Sequence, residues 1–137
     1  MDRVGIIGFG RFGKVLAQIL SDDFNVFAHD PNVKDSQYGV ELVDMDTALL
    51  CPSVFVSVPI RDFKTVIQTI SERPINKITV IDVCSVKVYS TEVMMEILPK
   101  TTDIIASHPL FGPDSIRRPD GLKMMIYKAR DQYERYN

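Results

Sequence analysis

The residues best suited to chemistry fall into short groups. The first is Gly8-Phe9-Gly10-Arg11-Phe12-Gly13. Glycines in this GxGxxG spacing permit a tight turn, a close backbone approach to a bound group, and close packing of a helix on a strand. The helix they open offers free N–H groups and a partial positive charge to a pyrophosphate. All six residues are therefore candidates to bind a dinucleotide cofactor. The second group is Asp30 alone, 22 residues after Gly8, at the spacing where a carboxylate accepts hydrogen bonds from ribose hydroxyls. A 2′-phosphate there would meet like charge, a repulsion of roughly 4 kcal/mol at ~4 Å and an effective dielectric near 20. Asp30 thus predicts NAD in preference to NADP, with Lys34 near enough in sequence to blur the contrast.

Three further groups end apolar runs with polar or conformationally fixed residues. In Ser57-Val58-Pro59-Ile60, Pro59 would turn the chain sharply past the cofactor, so Val58 and Pro59 are either cofactor contacts or purely structural. In Asp82-Val83-Cys84-Ser85-Val86-Lys87, the Ser85 hydroxyl would either cap the next helix or meet a substrate hydroxyl. Lys87 is either solvated or a partner for an anionic group, and Cys84, with no histidine beside it in sequence, reads as packing. The last group is Ser107-His108-Pro109-Leu110-Phe111-Gly112-Pro113-Asp114-Ser115. A histidine directly after a short strand, its backbone restricted by the following proline, suits a general base or a hydrogen-bond partner of a substrate hydroxyl. Ser115 is a second candidate substrate contact, and His29 either packs or lies near an adenine.

These groups need elements to hold them. Val4 to Ile7 reads as a strand running into the glycines. Phe12, Val15, Leu16, Ile19 and Leu20 then recur at helical spacing and form one apolar stripe. Val26 to Asp30 is the next strand, so the chain opens on a βαβ unit. Val40 to Val43 reads as a short strand and Asp46 to Leu50 as a helical turn. Val54 to Val58 and Ile78 to Val83 are nearly continuous apolar runs, as strands buried on both faces should be. Helical stripes lie at Phe63, Val66, Ile67 and Ile70, and at Val93, Met94, Ile97 and Leu98. Asp103 to Ala106 and Met124 to Tyr127 complete the strands. The alternation predicts a Rossmann-type α/β fold: a doubly wound, mostly parallel sheet with helices on both faces.

Composition narrows the function classes. The 137 residues carry 16 basic and 18 acidic side chains, a net charge of −2, which gives no electrostatic reason for a nucleic-acid partner. No apolar run is long enough to span a bilayer, and the first residues lack a signal-peptide pattern. Two cysteines and two histidines make no metal-ligand cluster. The expected location is the cytoplasm, or a plastid if a transit segment has been removed.

The order GFGRFG, VSVPI, DVCSVK and SHPLFGPDS resembles the nucleotide-binding half of prephenate and arogenate dehydrogenases, with HPLFGPDS closest to the branch that includes plant arogenate dehydrogenases. The resemblance covers essentially the whole chain. It implies NAD-dependent oxidative decarboxylation of prephenate or arogenate in tyrosine biosynthesis. By the same resemblance, His108 would hydrogen-bond or deprotonate the ring hydroxyl, and Ser85 would orient that hydroxyl and His108. Asp30 departs from NADP-preferring members, which carry a small polar or basic residue there. Two other readings fit the same residues: a stand-alone NAD-binding or regulatory module, and another oxidoreductase of the β-hydroxyacid dehydrogenase type.

The last residues carry their own expectation. Residues 1–130 read as the dinucleotide-binding domain. Asp131-Gln132-Tyr133-Glu134, an acidic cap with Glu three residues on, reads as a helix start, so residues 131–137 would lead toward a C-terminal helical domain not in this sequence. By the resemblance, dimerisation is expected only with that domain, which also supplies an arginine for a substrate carboxylate. The chain alone would bind NAD with little or no turnover.

Overall fold

A computed structural model of the chain describes residues 2–109 and 124–136. Seven strands form one sheet in the order β3-β2-β1-β4-β5-β6-β7. In chain order the elements are β1 (Arg3–Ile7), α1 (Arg11–Leu20), β2 (Asn25–His29), β3 (Glu41–Leu42), α2 (Met45–Ala48), β4 (Ser53–Val56), α3 (Ile60–Ser71), β5 (Thr79–Asp82), α4 (Lys87–Ile97), β6 (Asp103–Pro109) and β7 (Met124–Arg130). The first six strands are parallel, and β7 is antiparallel to β6. The predicted doubly wound sheet is the observed one.

Strand side chains alternate between two cores. On one face, Ile6, Val26 and Ala28 pack with Phe9, Leu16 and Ala17 under α1. On the other, Ile7, Val56, Val80 and Ile104 pack beneath α2, α3 and α4 through Ala48, Phe63, Ile67, Ile70, Val93 and Met94. Strands covered on both faces need apolar side chains at consecutive positions, which is why their sequences show runs rather than alternation. Each large aliphatic or aromatic side chain so buried contributes about 1.5–3 kcal/mol before conformational entropy is subtracted.

Two expectations about element ends are corrected. β6 runs on to Pro109, so His108 is a strand residue opposite Met125 rather than the first residue of a loop. The added length comes from β7, whose antiparallel pairing a local reading of residues 103–109 does not contain. The helix start expected at Asp131 is also absent: residues 131–136 are bends and turns. Asp103, 1 % exposed, accepts hydrogen bonds from the backbone N–H groups of Gln132 and Tyr133, each at 2.8 Å, and from the Gln132 amide. That buried carboxylate outcompetes the local capping pattern. Arg135 then reaches Thr79 Oγ1 at 2.7 Å, and the Tyr136 hydroxyl reaches Ser53. The segment straps the starts of β6, β5 and β4.

Candidate functional site

The strand order reverses between β1 and β4, and in doubly wound sheets ligands sit beyond the carboxyl ends of the strands at that point. The two chain segments that leave these strands are Gly8–Gly13 and Ser57–Pro59. Each is fixed to a neighbouring strand at its start, Gly8 N donating to the His29 carbonyl of β2 (2.8 Å) and Ser57 N to the Ile7 carbonyl of β1 (2.8 Å).

The three glycines have different reasons to be glycine. Gly8 has φ +100°, and a Cβ on it would lie 2.2 Å from the Ser57 carbonyl oxygen. A Cβ on Gly13 would lie 2.2 Å from the Gly8 carbonyl oxygen. Both are demanded by the chain's own backbone. Gly10 is not: its φ is −81°, and a Cβ there would meet nothing within 4 Å. Gly10 caps α1 without any side-chain hydrogen bond, and the first turn of that helix holds no acidic residue. A helix N-terminus left this way favours an anion, and the missing Cβ leaves room for one.

Two clefts meet along Val58 and Pro59. One, about 280 Å³, is lined by Gly10, Arg11, Phe12, Ser57, Val58, Pro59, Val83 and Cys84. The other, about 360 Å³, includes Gly8, His29, Asp30, Asn32, Val58, Pro59 and Asp62 in its walls. Asp30 does more than face this second cleft. Its carboxylate accepts the N–H of Phe9 at 2.9 Å and the N–H of Asn32 at 2.9 Å, tying the glycine turn to the end of β2. A carboxylate has about four acceptor positions, so room remains for ribose hydroxyls. His29 Nδ1 lies 3.0 Å from the Val43 carbonyl oxygen and, facing an acceptor, carries a proton.

The predicted cofactor residues separate accordingly. Gly8, Gly10, Arg11, Phe12, Asp30, Val58 and Pro59 line the clefts. Gly13 is buried in the packing of α1 on the glycine turn. Phe9 is fully buried in the α1 core, with its N–H committed to Asp30, so its contribution is to the shape of the turn.

Further along the same edge, Asp82 organises the neighbourhood of Ser85 and His108. It is 0 % exposed. Oδ1 accepts from Ser107 N at 3.1 Å, while Oδ2 accepts from Cys84 N at 3.2 Å and pairs with the Lys87 ammonium. The Ser107 hydroxyl donates to the Asp82 carbonyl. Lys87 thus pairs with a buried carboxylate while keeping 26 % of its side chain exposed. Sequence reading passed over Asp82; the available signal was an aspartate closing a buried strand, since such a group must find partners.

Asp82 pairs in register with Ala106, the last pair between β5 and β6, and Ser85 and His108 follow that pair by three and two residues. Ser85 is exposed, and the helix after it is capped by Val86 with no side-chain hydrogen bond, so Ser85 is not the cap. His108 is half-buried. Ser115, and the Leu110–Ser115 part of its motif, lie outside the described residues.

Comparison with known proteins adds the lineage. Residues 21–123 match the family described as prephenate dehydrogenase, nucleotide-binding domain. Two curated relatives are chloroplastic arogenate dehydrogenases of Arabidopsis thaliana. Arogenate dehydrogenase 1 is 30 % identical over 97 % of this chain and 22 % of its own length; arogenate dehydrogenase 2 is 26 % identical over 93 % and 38 %. The chain thus spans well under half of either. Among solved structures, a conserved protein of unknown function with structural similarity to 3-hydroxyacid dehydrogenases superposes with a TM-score of 0.74 at 17 % identity, over 90 % of this chain and 49 % of that one. A reductive aminase from Aspergillus terreus in complex with NADPH gives 0.71 at 15 %, over 92 % and 47 %. At those identities the likeness is one of fold.

Proposed function

The chain belongs to the family of prephenate dehydrogenase nucleotide-binding domains, and from that starting point we propose that it binds NAD at the β1–β4 crevice for the oxidative decarboxylation of prephenate or arogenate. The observation that carries this reading is Gly10, where a side chain would meet nothing within 4 Å among the described residues and which opens a helix N-terminus without a side-chain cap. Gly10, Arg11, Phe12, Val58 and Pro59 would hold the pyrophosphate side of the dinucleotide, and Gly8 and Asp30 the adenosine side. Bound there, the nicotinamide supplies the hydride acceptor.

The remaining roles belong to the chain's own groups. Asp30, already holding two backbone N–H groups, keeps acceptor positions for ribose hydroxyls and repels a 2′-phosphate. His108 takes up the proton of the ring hydroxyl as the carbon bearing it loses hydride, and departure of CO2 makes the ring aromatic. Ser85 orients the hydroxyl. Asp82 and its partners keep both segments at one edge. This reaction places the protein in tyrosine biosynthesis, in the cytoplasm or in a plastid, the latter supported by chloroplastic relatives. No helix among the described residues is long and apolar enough to cross a membrane. The chain spans 22 % and 38 % of two relatives, and we assign substrate closure and dimerisation to a helical partner domain.

Calorimetric titration with NAD and NADP tests the reading. NAD is expected to bind more tightly, and Gly10→Ala to weaken it by about tenfold or more with the thermal midpoint unchanged. Tighter NADP binding would reverse the cofactor assignment, and undiminished binding by Gly10→Ala would remove the crevice from consideration. Turnover of arogenate or prephenate is expected only on addition of a helical partner domain, and to be lost in His108→Asn.

A further inference from the structure

The adenosine-side cleft has a second wall that the proposed roles leave unused. Asp30 enters it from the end of β2 and Asp62 from the first turn of α3, and among the described residues no lysine or arginine lines it. Strands β2 and β4, the latter preceding α3, flank β1, so the two residues reach the cleft from different segments of the chain. We propose that Asp62 is a specificity-determining residue: with Asp30 it makes the cleft select an adenosine ribose that carries no 2′-phosphate. The inference rests on the reading of this cleft as the adenosine side of a dinucleotide site.

Asp62 is suited to the task because its charge is little used elsewhere. Arg61 lies 3.7 Å away, with its side chain 84 % exposed and that of Asp62 54 % exposed. So wet an ion pair holds the two side chains together weakly. Both carboxylates line the same cleft of about 360 Å³, and charges closer than the Debye length of about 8 Å act on one another at physiological salt. A phosphate bound between them would meet the field of both. The competing account of Asp62 is local: an acidic residue in the first turn of a helix favours the helix dipole. That account changes stability and leaves ligand choice alone.

The probes are adenosine 5′-monophosphate and adenosine 2′,5′-bisphosphate, titrated into the full 137-residue chain. Asp62→Asn is expected to narrow the preference for the monophosphate by roughly three- to tenfold, about 0.7–1.4 kcal/mol at 1.4 kcal/mol per tenfold. Asp62→Glu is expected to restore it, and salt of about 0.5 M to shrink the difference between the variants. Asp23→Asn removes an exposed carboxylate outside the cleft and is expected to leave the ratio where it was. An unchanged ratio in Asp62→Asn, or equal narrowing in Asp23→Asn, overturns the proposal while the adenosine reading of the cleft survives. If the unsubstituted chain binds neither probe, that reading fails and takes the proposal with it.

Discussion

At the carboxyl edge of the sheet Asp82 is fully buried and is satisfied by a lysine together with two backbone N–H groups. At the amino edge Asp103 is as deeply buried but is satisfied by two backbone N–H groups and one side-chain amide. The first arrangement brings three chain segments together and neutralises the carboxylate with a full charge. The second spreads the charge over dipoles and turns the residues after β7 into a strap. One sheet thus carries a charge-held carboxyl edge and a backbone-held amino edge that the strap crosses. The difference lies in what each carboxylate loses when it is made neutral.

Asp82→Asn should have the largest effect. It strips the Lys87 ammonium of its partner and sets an amide against N–H donors. The expected loss is about 2–4 kcal/mol, below the range for fully buried pairs because Lys87 keeps 26 % of its side chain exposed. Chemical denaturation measures it, and adding Lys87→Met should recover part of the loss. A variant as stable as the parent would show that the pair is not what holds this edge. Asp103→Asn should cost less, about 1–3 kcal/mol, since a misplaced amide hydrogen is left against an N–H but no charge is orphaned. Its signature is local: the Gln132 and Tyr133 amides should exchange hydrogen faster while those of β1 and β4 stay protected. Uniform acceleration would mean that the strap is integral to the core.

The smallest effect belongs to an exposed carboxylate. Asp44 caps α2, and hydrogen bonds from Thr47, side chain first and backbone N–H second, hold its pKa below the ordinary 3.8. A depressed folded-state pKa contributes stability that is present above the unfolded value and lost as pH falls through the folded one. The Asp44→Ala difference should therefore be flat above about pH 4 and disappear in more acidic solution. A difference that persists there would assign the cap to something other than the carboxylate.

Much of this architecture was legible without coordinates because it depends on short-range pattern. Buried strands, amphipathic helices and the glycine turn each declare themselves within a dozen residues. So did the glycine spacing, in which Gly8 and Gly13 answer to backbone sterics and Gly10 does not. The strand extension to Pro109 was not legible, because it depends on β7 arriving from 15 or more residues away. Nor was the fate of Asp131-Gln132-Tyr133-Glu134, where a correct local capping pattern lost to a buried carboxylate 28 residues earlier.

The site divides along the same line. Local pattern was enough to single out Gly8, Gly10, Gly13 and Asp30 as candidate cofactor residues, since type and spacing are properties of the chain, whereas Ser85 and His108 became the pair to test only through the family resemblance. Tertiary structure alone decided that Phe9 turns into the core, that Lys87 belongs to Asp82, and that Asp62 shares a cleft with Asp30. Those assignments depend on which groups meet across the sheet. A buried charge takes its partner from whatever the fold places within reach, and linear spacing does not record that reach.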